Sequence, residues 1–150
     1  MREFDDIGLQ LSIQQANMFV EMNKLFSGSS YALIKTFMNS NCAFRIDSNL
    51  SIDTSDVISE MSNYKIVNKG KQKINSDVIY WIGYLYRYWA YVFEESSKKI
   101  YSIIQAEELE KLYNSYHTLD PKMAIERIYE SKNIQKKDSL LDIMKKIYLT

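Results

Sequence analysis

The chain has 150 residues, 46% hydrophobic and 25% charged, a composition that is globular rather than disordered and a length sufficient for one core burying roughly two thirds of the unfolded surface. Nineteen Lys and Arg offset nineteen Asp and Glu, so no bulk field draws in nucleic acid or an anionic membrane. One Pro and four Gly are too few turn signals for an all-β chain and favour helices.

Asp5 and Asp6, followed by Ile7, Leu11, Met18, Val20, Met22 and Leu25, predict a helix over 5–25, with acids where the N-terminal dipole favours them. The run FSGSS, 26–30, ends it. A second helix, SSYALIKTFMNS, begins on a serine cap and stops at Asn41, with Tyr31, Leu33, Ile34, Phe37 and Met38 at helical spacing. The stretch CAFRID, 42–47, alternates and predicts a short strand or an extended link. Asp53-Thr54-Ser55 caps a short helix through DVISEMSNY, and the lysine-rich KIVNKGKQK, 65–73, reads as a loop.

Asn75-Ser76-Asp77 opens the next helix, whose body VIYWIGYLYRYWAYVF, 78–93, carries eight aromatic side chains in sixteen positions. Tyr80, Tyr84, Tyr88 and Tyr91 follow one face, and Trp81, Leu85, Trp89 and Val92 the adjoining strip. The segment is shorter than the ~20 residues of a membrane span and has Arg87 at its middle. Gly83 costs about 1 kcal/mol against Ala in a helix interior, which points to close approach by another helix or a ligand. Trp81 and Tyr84 flank Gly83 and are expected to be buried there, leaving Tyr86 and Arg87 to face a partner. Ser96-Ser97 caps a further helix through KKIYSII. In LDPKMAIERIYE, Asp120 is a cap, Pro121 fits the first helical position, and Ala124, Ile125, Ile128 and Tyr129 form one stripe. SLLDIMKKIYL supplies a last amphipathic segment. No repeat and no long linker interrupts the chain, which is therefore expected to be a single all-α domain, a helical bundle of about six helices with the aromatic helix at its centre.

Chemistry-bearing residues are sparse. There is one His and one Cys, and no HExxH, paired CxxC or P-loop, so neither a metal nor another cofactor is expected and the chain reads as non-enzymatic. His117 and Asp120 would form a base if paired; alternatively His117 ends one helix and Asp120 caps the next. Gly28-Ser29 has the look of a phosphate-binding turn, but the two carboxylates on one strand that a nucleotidyltransferase needs are missing. Cys42 has no partner for an internal disulfide, and MREFDDIGLQL lacks the basic-then-apolar order of a signal peptide, so a cytoplasmic location is expected. Charge is unevenly placed, about −4 over residues 1–62 and about +4 over the remainder.

The aromatic helix admits three readings: core alone, core with a protein-docking surface, or a stacking pocket for a base or nucleotide. For docking, the candidates are Tyr80, Tyr84, Tyr86, Arg87, Tyr88, Tyr91 and His117. A small nucleotide-binding protein or enzyme would instead gather Tyr84, Arg87, His117 and Asp120, and nucleic-acid binding would use the Lys65–Lys73 connector with the C-terminal lysines.

Two stretches, YWIGYLYRYW and YHTLDPKMAIERIYE, resemble small helical proteins of bacterial toxin–antitoxin operons, encoded beside an ADP-ribosyltransferase-like toxin. The matching positions are Tyr80, Trp81, Gly83, Tyr84, Tyr86 and Arg87 in the first, and Tyr116, His117, Leu119, Asp120 and Pro121 in the second. SGSSYALIKTFMNS is similar too, which extends the likeness over most of 25–130. The resemblance implies an antitoxin that neutralises a partner toxin by direct contact, with no reaction of its own; the balanced charge and the short, arginine-bearing aromatic segment add the expectation of no membrane and no nucleic acid as its main partner. It leaves open whether the chain also forms a homo-oligomer.

Overall fold

The computed structural model describes residues 1–134, and every regular element among them is helical: α1 (Asp6–Leu25), α2 (Ser30–Met38), α3 (Asn41–Asp47), α4 (Thr54–Met61), a 3-10 turn (Lys65–Asn68), α5 (Ser76–Phe93), α6 (Ser97–Ile103), α7 (Ala106–Tyr116) and α8 (Pro121–Ser131). Among the described residues, eight α-helices thus stand where about six were expected of the whole chain. The segment SLLDIMKKIYL lies outside the described residues.

Local chemistry explains most boundaries. The Asp5 carboxylate accepts the Gly8 N–H at 3.0 Å, Asn75 accepts the Asp77 N–H at 2.9 Å, and Asp120 accepts the Lys122 N–H at 2.9 Å with Pro121 in the first turn; each satisfies an amide that the helix leaves unbonded. α2 stops at Met38 rather than Asn41, because Ser40 begins a new helix.

That new helix corrects the extended reading of CAFRID. Ser40 Oγ accepts the Ala43 N–H at 3.1 Å, and the Glu60 carboxylate reaches over from α4 to accept the N–H groups of Asn41 and Cys42 at 3.0 and 2.8 Å. An acid at a helix N-terminus also complements the dipole. The alternating pattern of six residues was outweighed by a capping acid eighteen positions away, which periodicity alone does not register.

α1 and α5 run antiparallel along each other. Gly8 lies against the Tyr91 ring, Gly83 against Ala16 and Phe19, and Asn23 Nδ2 donates to the Ile74 carbonyl at 3.1 Å. A Cβ on Gly83 would sit 3.0 Å from Ala16 Cα and 3.1 Å from the Gln15 carbonyl oxygen, so the glycine is what lets the two backbones meet. α5 also touches α6, α7 and α8, and one cluster of buried apolar side chains draws on all eight helices.

The lysine-rich connector is pinned rather than loose. N–H groups of Gly28, Ser29 and Ser30 donate to the carbonyls of Val67, Lys69 and Gln72, each at 2.8 Å, and Ser30 Oγ accepts the Ile74 N–H at 2.8 Å. Gly28 is required because a Cβ would fall 2.2 Å from the Val67 oxygen. The amides of Gly28-Ser29 are therefore spent on backbone pairing, and Lys73 Nζ caps the C-terminus of α1 through the Asn23 and Phe26 carbonyls at 3.0 and 2.7 Å. Among the described residues no helix is long and apolar enough to cross a membrane.

Candidate functional site

The helix α5 divides its candidate residues between interior and surface, and the division differs from the expected one. Residues four and seven positions from Gly83 share its face, which turns Arg87 towards α1. Arg87 is 1% exposed. Its Nε donates to Gln15 Oε1 at 2.8 Å, Nη1 to Asp47 Oδ1 at 2.7 Å and Nη2 to Ser97 Oγ at 3.0 Å, while Gln15 Nε2 donates to the Gly83 carbonyl at 3.0 Å. Asp47 in turn accepts from the Ser97 N–H and hydroxyl at 2.9 and 2.6 Å. Burial lowers the proton affinity of the guanidinium and Asp47 opposes that shift; arginine keeps its charge inside proteins. One side chain thus ties α5 to α1, α3 and α6. The expectation that Arg87 faces a partner is corrected: its three nitrogens are already committed within the fold.

Tyr86 is corrected likewise. It is fully buried, and its hydroxyl donates to the Ile104 carbonyl at 2.7 Å, a bond that stabilises the neutral phenol in an apolar setting. Tyr88 and Tyr91 are also buried, under the N-terminal segment: Phe4 packs on Tyr88 with ring centroids 4.6 Å apart, Arg2 lies 4.2 Å over the Tyr91 ring, and the Tyr91 hydroxyl donates to Asp5 Oδ1 at 2.6 Å. Burial pushes the Tyr88 hydroxyl up to about 12, with the charge of Asp120 adding to it. None of these four residues offers a free docking surface in this arrangement.

Tyr80, Tyr84 and His117, by contrast, come together. They line one groove of about 450 Å³ with Asp77, Trp81, Tyr113, Leu119 and Pro121. α5 supplies Tyr80, Trp81 and Tyr84 from consecutive turns, α7 supplies Tyr113, and the link into α8 supplies His117, Leu119 and Pro121. Trp81 meets Tyr113 edge to face, 5.6 Å between centroids at 74°. His117 stacks on the other partner of that pair, 4.2 Å from Tyr113 at 14°, and its Nδ1 lies 2.6 Å from the Tyr113 carbonyl. A carbonyl only accepts, so Nδ1 carries a proton and donates it there.

Trp81 and Tyr84 are half-buried, not packed around Gly83 as expected. Neighbours on a helix are turned about 100° apart, so a glycine aimed at α1 sends the residues beside it away from that contact. Burial, then Tyr80 and Asp120, raise the Tyr84 hydroxyl above its ordinary value, which keeps the phenol neutral. Sequence reasoning missed Tyr113 and Asp77 as groove residues. Tyr113 stands four positions before His117, the helical spacing that makes side chains neighbours, and that spacing was the available signal.

The chain matches no protein-family model, no curated protein and no solved structure.

For the Tyr84, Arg87, His117 and Asp120 arrangement, the geometry separates the members. Arg87 is interior, His117 bonds its own helix, and Asp120 caps α8; among the described hydrogen bonds none joins His117 to Asp120. No three His, Cys, Asp or Glu side chains converge as a metal ligand set among the described residues. Cys42 is buried, and burial followed by the Glu60 carboxylate pushes its thiol up to about 12, the opposite of what a nucleophilic cysteine needs. A second, more polar cavity of about 250 Å³, lined by Arg2, Asp47, Arg87, Tyr91, Glu94 and Glu95 among others, opens beside the Arg87 network; Arg87 and Asp47 are bonded to each other and to Ser97 as described above.

Proposed function

We propose that this chain is a non-enzymatic protein-binding module, an antitoxin that holds a toxin from the same operon inactive by direct contact, and that the groove between α5, α7 and the start of α8 is its docking surface. One observation carries the choice of surface. Of the eight residues lining the groove, six come from the two stretches on which the family resemblance rests: Tyr80, Trp81 and Tyr84 from the first, His117, Leu119 and Pro121 from the second. Two stretches about thirty residues apart in the chain thus converge on one aromatic surface.

The composition of that surface suits protein contact. Trp and Tyr are the side chains over-represented among residues that carry interface energy, since a large ring is buried at little rotamer cost and its polar edge still finds a partner. Tyr80 is 36% exposed, and the groove is open to a side chain or a short segment from another protein. An obligate stacking pocket for a nucleotide would put cations beside the rings to meet phosphate, whereas the groove lining contains an acid and no Lys or Arg.

The test is co-expression with the product of the neighbouring open reading frame. The reading requires that the neighbour be toxic alone, that toxicity be relieved by this chain, and that the two co-purify. A neighbour that is harmless by itself, or a pair that separates on size exclusion, removes the antitoxin assignment.

A further inference from the structure

We propose that the groove receives a cationic side chain, arginine or lysine, presented by the partner protein. The inference rests on the reading of the groove as a protein-docking surface and names the chemistry of what enters it.

The aromatic lining is the first part of the argument. Trp81, Tyr80, Tyr84 and Tyr113 surround the space, and an aromatic ring carries negative potential on its face that attracts a cation. The lining rings also contact one another: His117 stacks on Tyr113, and Trp81 meets Tyr113 nearly at right angles, so the corner is formed in the unliganded chain.

Charge is the second part. Asp77, exposed in the first turn of α5, lines the groove and is the one residue in the lining that carries a formal charge irrespective of His117 protonation. Asp120, next to Pro121, adds its field, which is felt as far as Tyr84 and Tyr88. No Lys or Arg stands in the lining to neutralise either. An acidic side chain entering here would meet the Asp77 carboxylate with Asp120 nearby, and an uncharged apolar one would leave their potential unused. A guanidinium or ammonium uses the ring faces and the acid together, and its methylene stem covers Leu119 and Pro121. Arginine adds five N–H donors for Asp77 and the phenolic oxygens of the lining.

The probe is the blocked tripeptide Gly-Arg-Gly, compared with Gly-citrulline-Gly, which has nearly the same shape and hydrogen-bonding reach without the charge. Binding is followed by the indole N–H resonance of Trp81 in ¹⁵N-labelled protein; Trp89, fully buried and donating to the Tyr129 hydroxyl at 2.8 Å, is the internal reference. The arginine peptide is expected to shift Trp81 and not Trp89, with an association constant at least about five-fold above that of the citrulline peptide, as one well-placed ring contact supplies. Asp77→Asn, at an exposed position, is expected to keep the thermal midpoint and to weaken the arginine peptide roughly two- to five-fold.

Equal binding of the two peptides, no shift at Trp81, or an unaltered constant in Asp77→Asn would each overturn the inference. So would tetramethylammonium binding more than about ten-fold tighter than the arginine peptide, which would assign the groove to a small organic cation instead of a side chain. Failure here and failure of the antitoxin reading are separable: a partner that co-purifies while the peptides bind equally leaves the docking surface and removes its charge preference. Charge-selective peptide binding without a co-purifying neighbour does the reverse.

Discussion

Replacing Arg87 by alanine is the most informative perturbation of the fold. The substitution removes three hydrogen bonds, to Gln15, Asp47 and Ser97, and leaves the Asp47 side chain, 13% exposed, with only the Ser97 N–H and hydroxyl. Breaking a buried ion pair from one side costs about 3–5 kcal/mol, because the remaining charge stays desolvated. For a protein of this size that corresponds to a fall of about 6–20 °C in Tm, a large fraction of a typical stability of about 5–15 kcal/mol. Urea unfolding followed by far-ultraviolet circular dichroism gives the free energy directly, and an unchanged m-value would show that the unfolded state was not altered. Arg87→Lys should recover only part of the loss, since one ammonium cannot serve acceptors on three different helices. A double-mutant cycle with Asp47→Asn isolates the pair. Should Arg87→Ala cost less than about 1 kcal/mol, the guanidinium must reach water, and the account of α5 as tied to α1, α3 and α6 through this side chain is wrong.

The two tryptophans should behave differently: Trp89→Ala is expected to cost about 3–5 kcal/mol and Trp81→Ala under about 2 kcal/mol, read from urea midpoints, because only Trp89 is fully buried. Cys42, whose thiol is pushed up to about 12, should resist Ellman's reagent at pH 8 in native protein and react at once in urea; rapid native reaction would place it at the surface. Burial works against ionisation of Glu60, but the Cys42 thiol and the backbone N–H groups of Cys42 and Asn41, with Tyr64, outweigh it and hold the carboxyl below its usual value. Its contribution is therefore fully present above the unfolded pKa of about 4.3 and lost as pH falls through the lower folded value. Glu60→Gln should lower stability at pH 7 and flatten the acid limb of a Tm-against-pH curve, and an unchanged acid limb would count against Glu60 as the cap of α3. Gly83→Ala gains about 1 kcal/mol of helix propensity but forces α1 away by overpacking worth about 1–3 kcal/mol; a stabilised variant would mean the helices are further apart than 3.0 Å contacts imply.

How much of this was legible in the sequence follows from the range of the interactions involved. Helices set by local patterns were readable: α1 with Asp5 at its start, α5 with Asn75, α6 with Ser96, α8 with Asp120-Pro121 and the stripe Ala124, Ile125, Ile128 and Tyr129. α3 was not, since its cap includes Glu60 from another helix. The close approach at Gly83 was legible, but its direction was not, and the direction decides everything about its neighbours. Aimed at α1, it buries Arg87 and Tyr86 and leaves Tyr80 exposed and Trp81 and Tyr84 half-buried. Arg87 inside a core runs against composition-based expectation, and its acceptors, Gln15, Asp47 and Ser97, lie 72, 40 and 10 positions away. The burial of Tyr88 and Tyr91 depended on Phe4 and Asp5 folding back over α5, a tertiary contact with no periodic signature.

The central claim, that the α5–α7 groove docks a protein partner, is tested most directly by the affinity of the purified neighbouring gene product for the wild-type chain and for Tyr80→Ala/Trp81→Ala, measured by titration calorimetry alongside the Tm of each. The account predicts binding weakened by at least about thirty-fold, the loss expected of an aromatic hot spot worth about 2 kcal/mol, in a variant that remains folded. A variant that is folded and binds its partner with wild-type affinity would contradict it and move the interface to another face of the molecule.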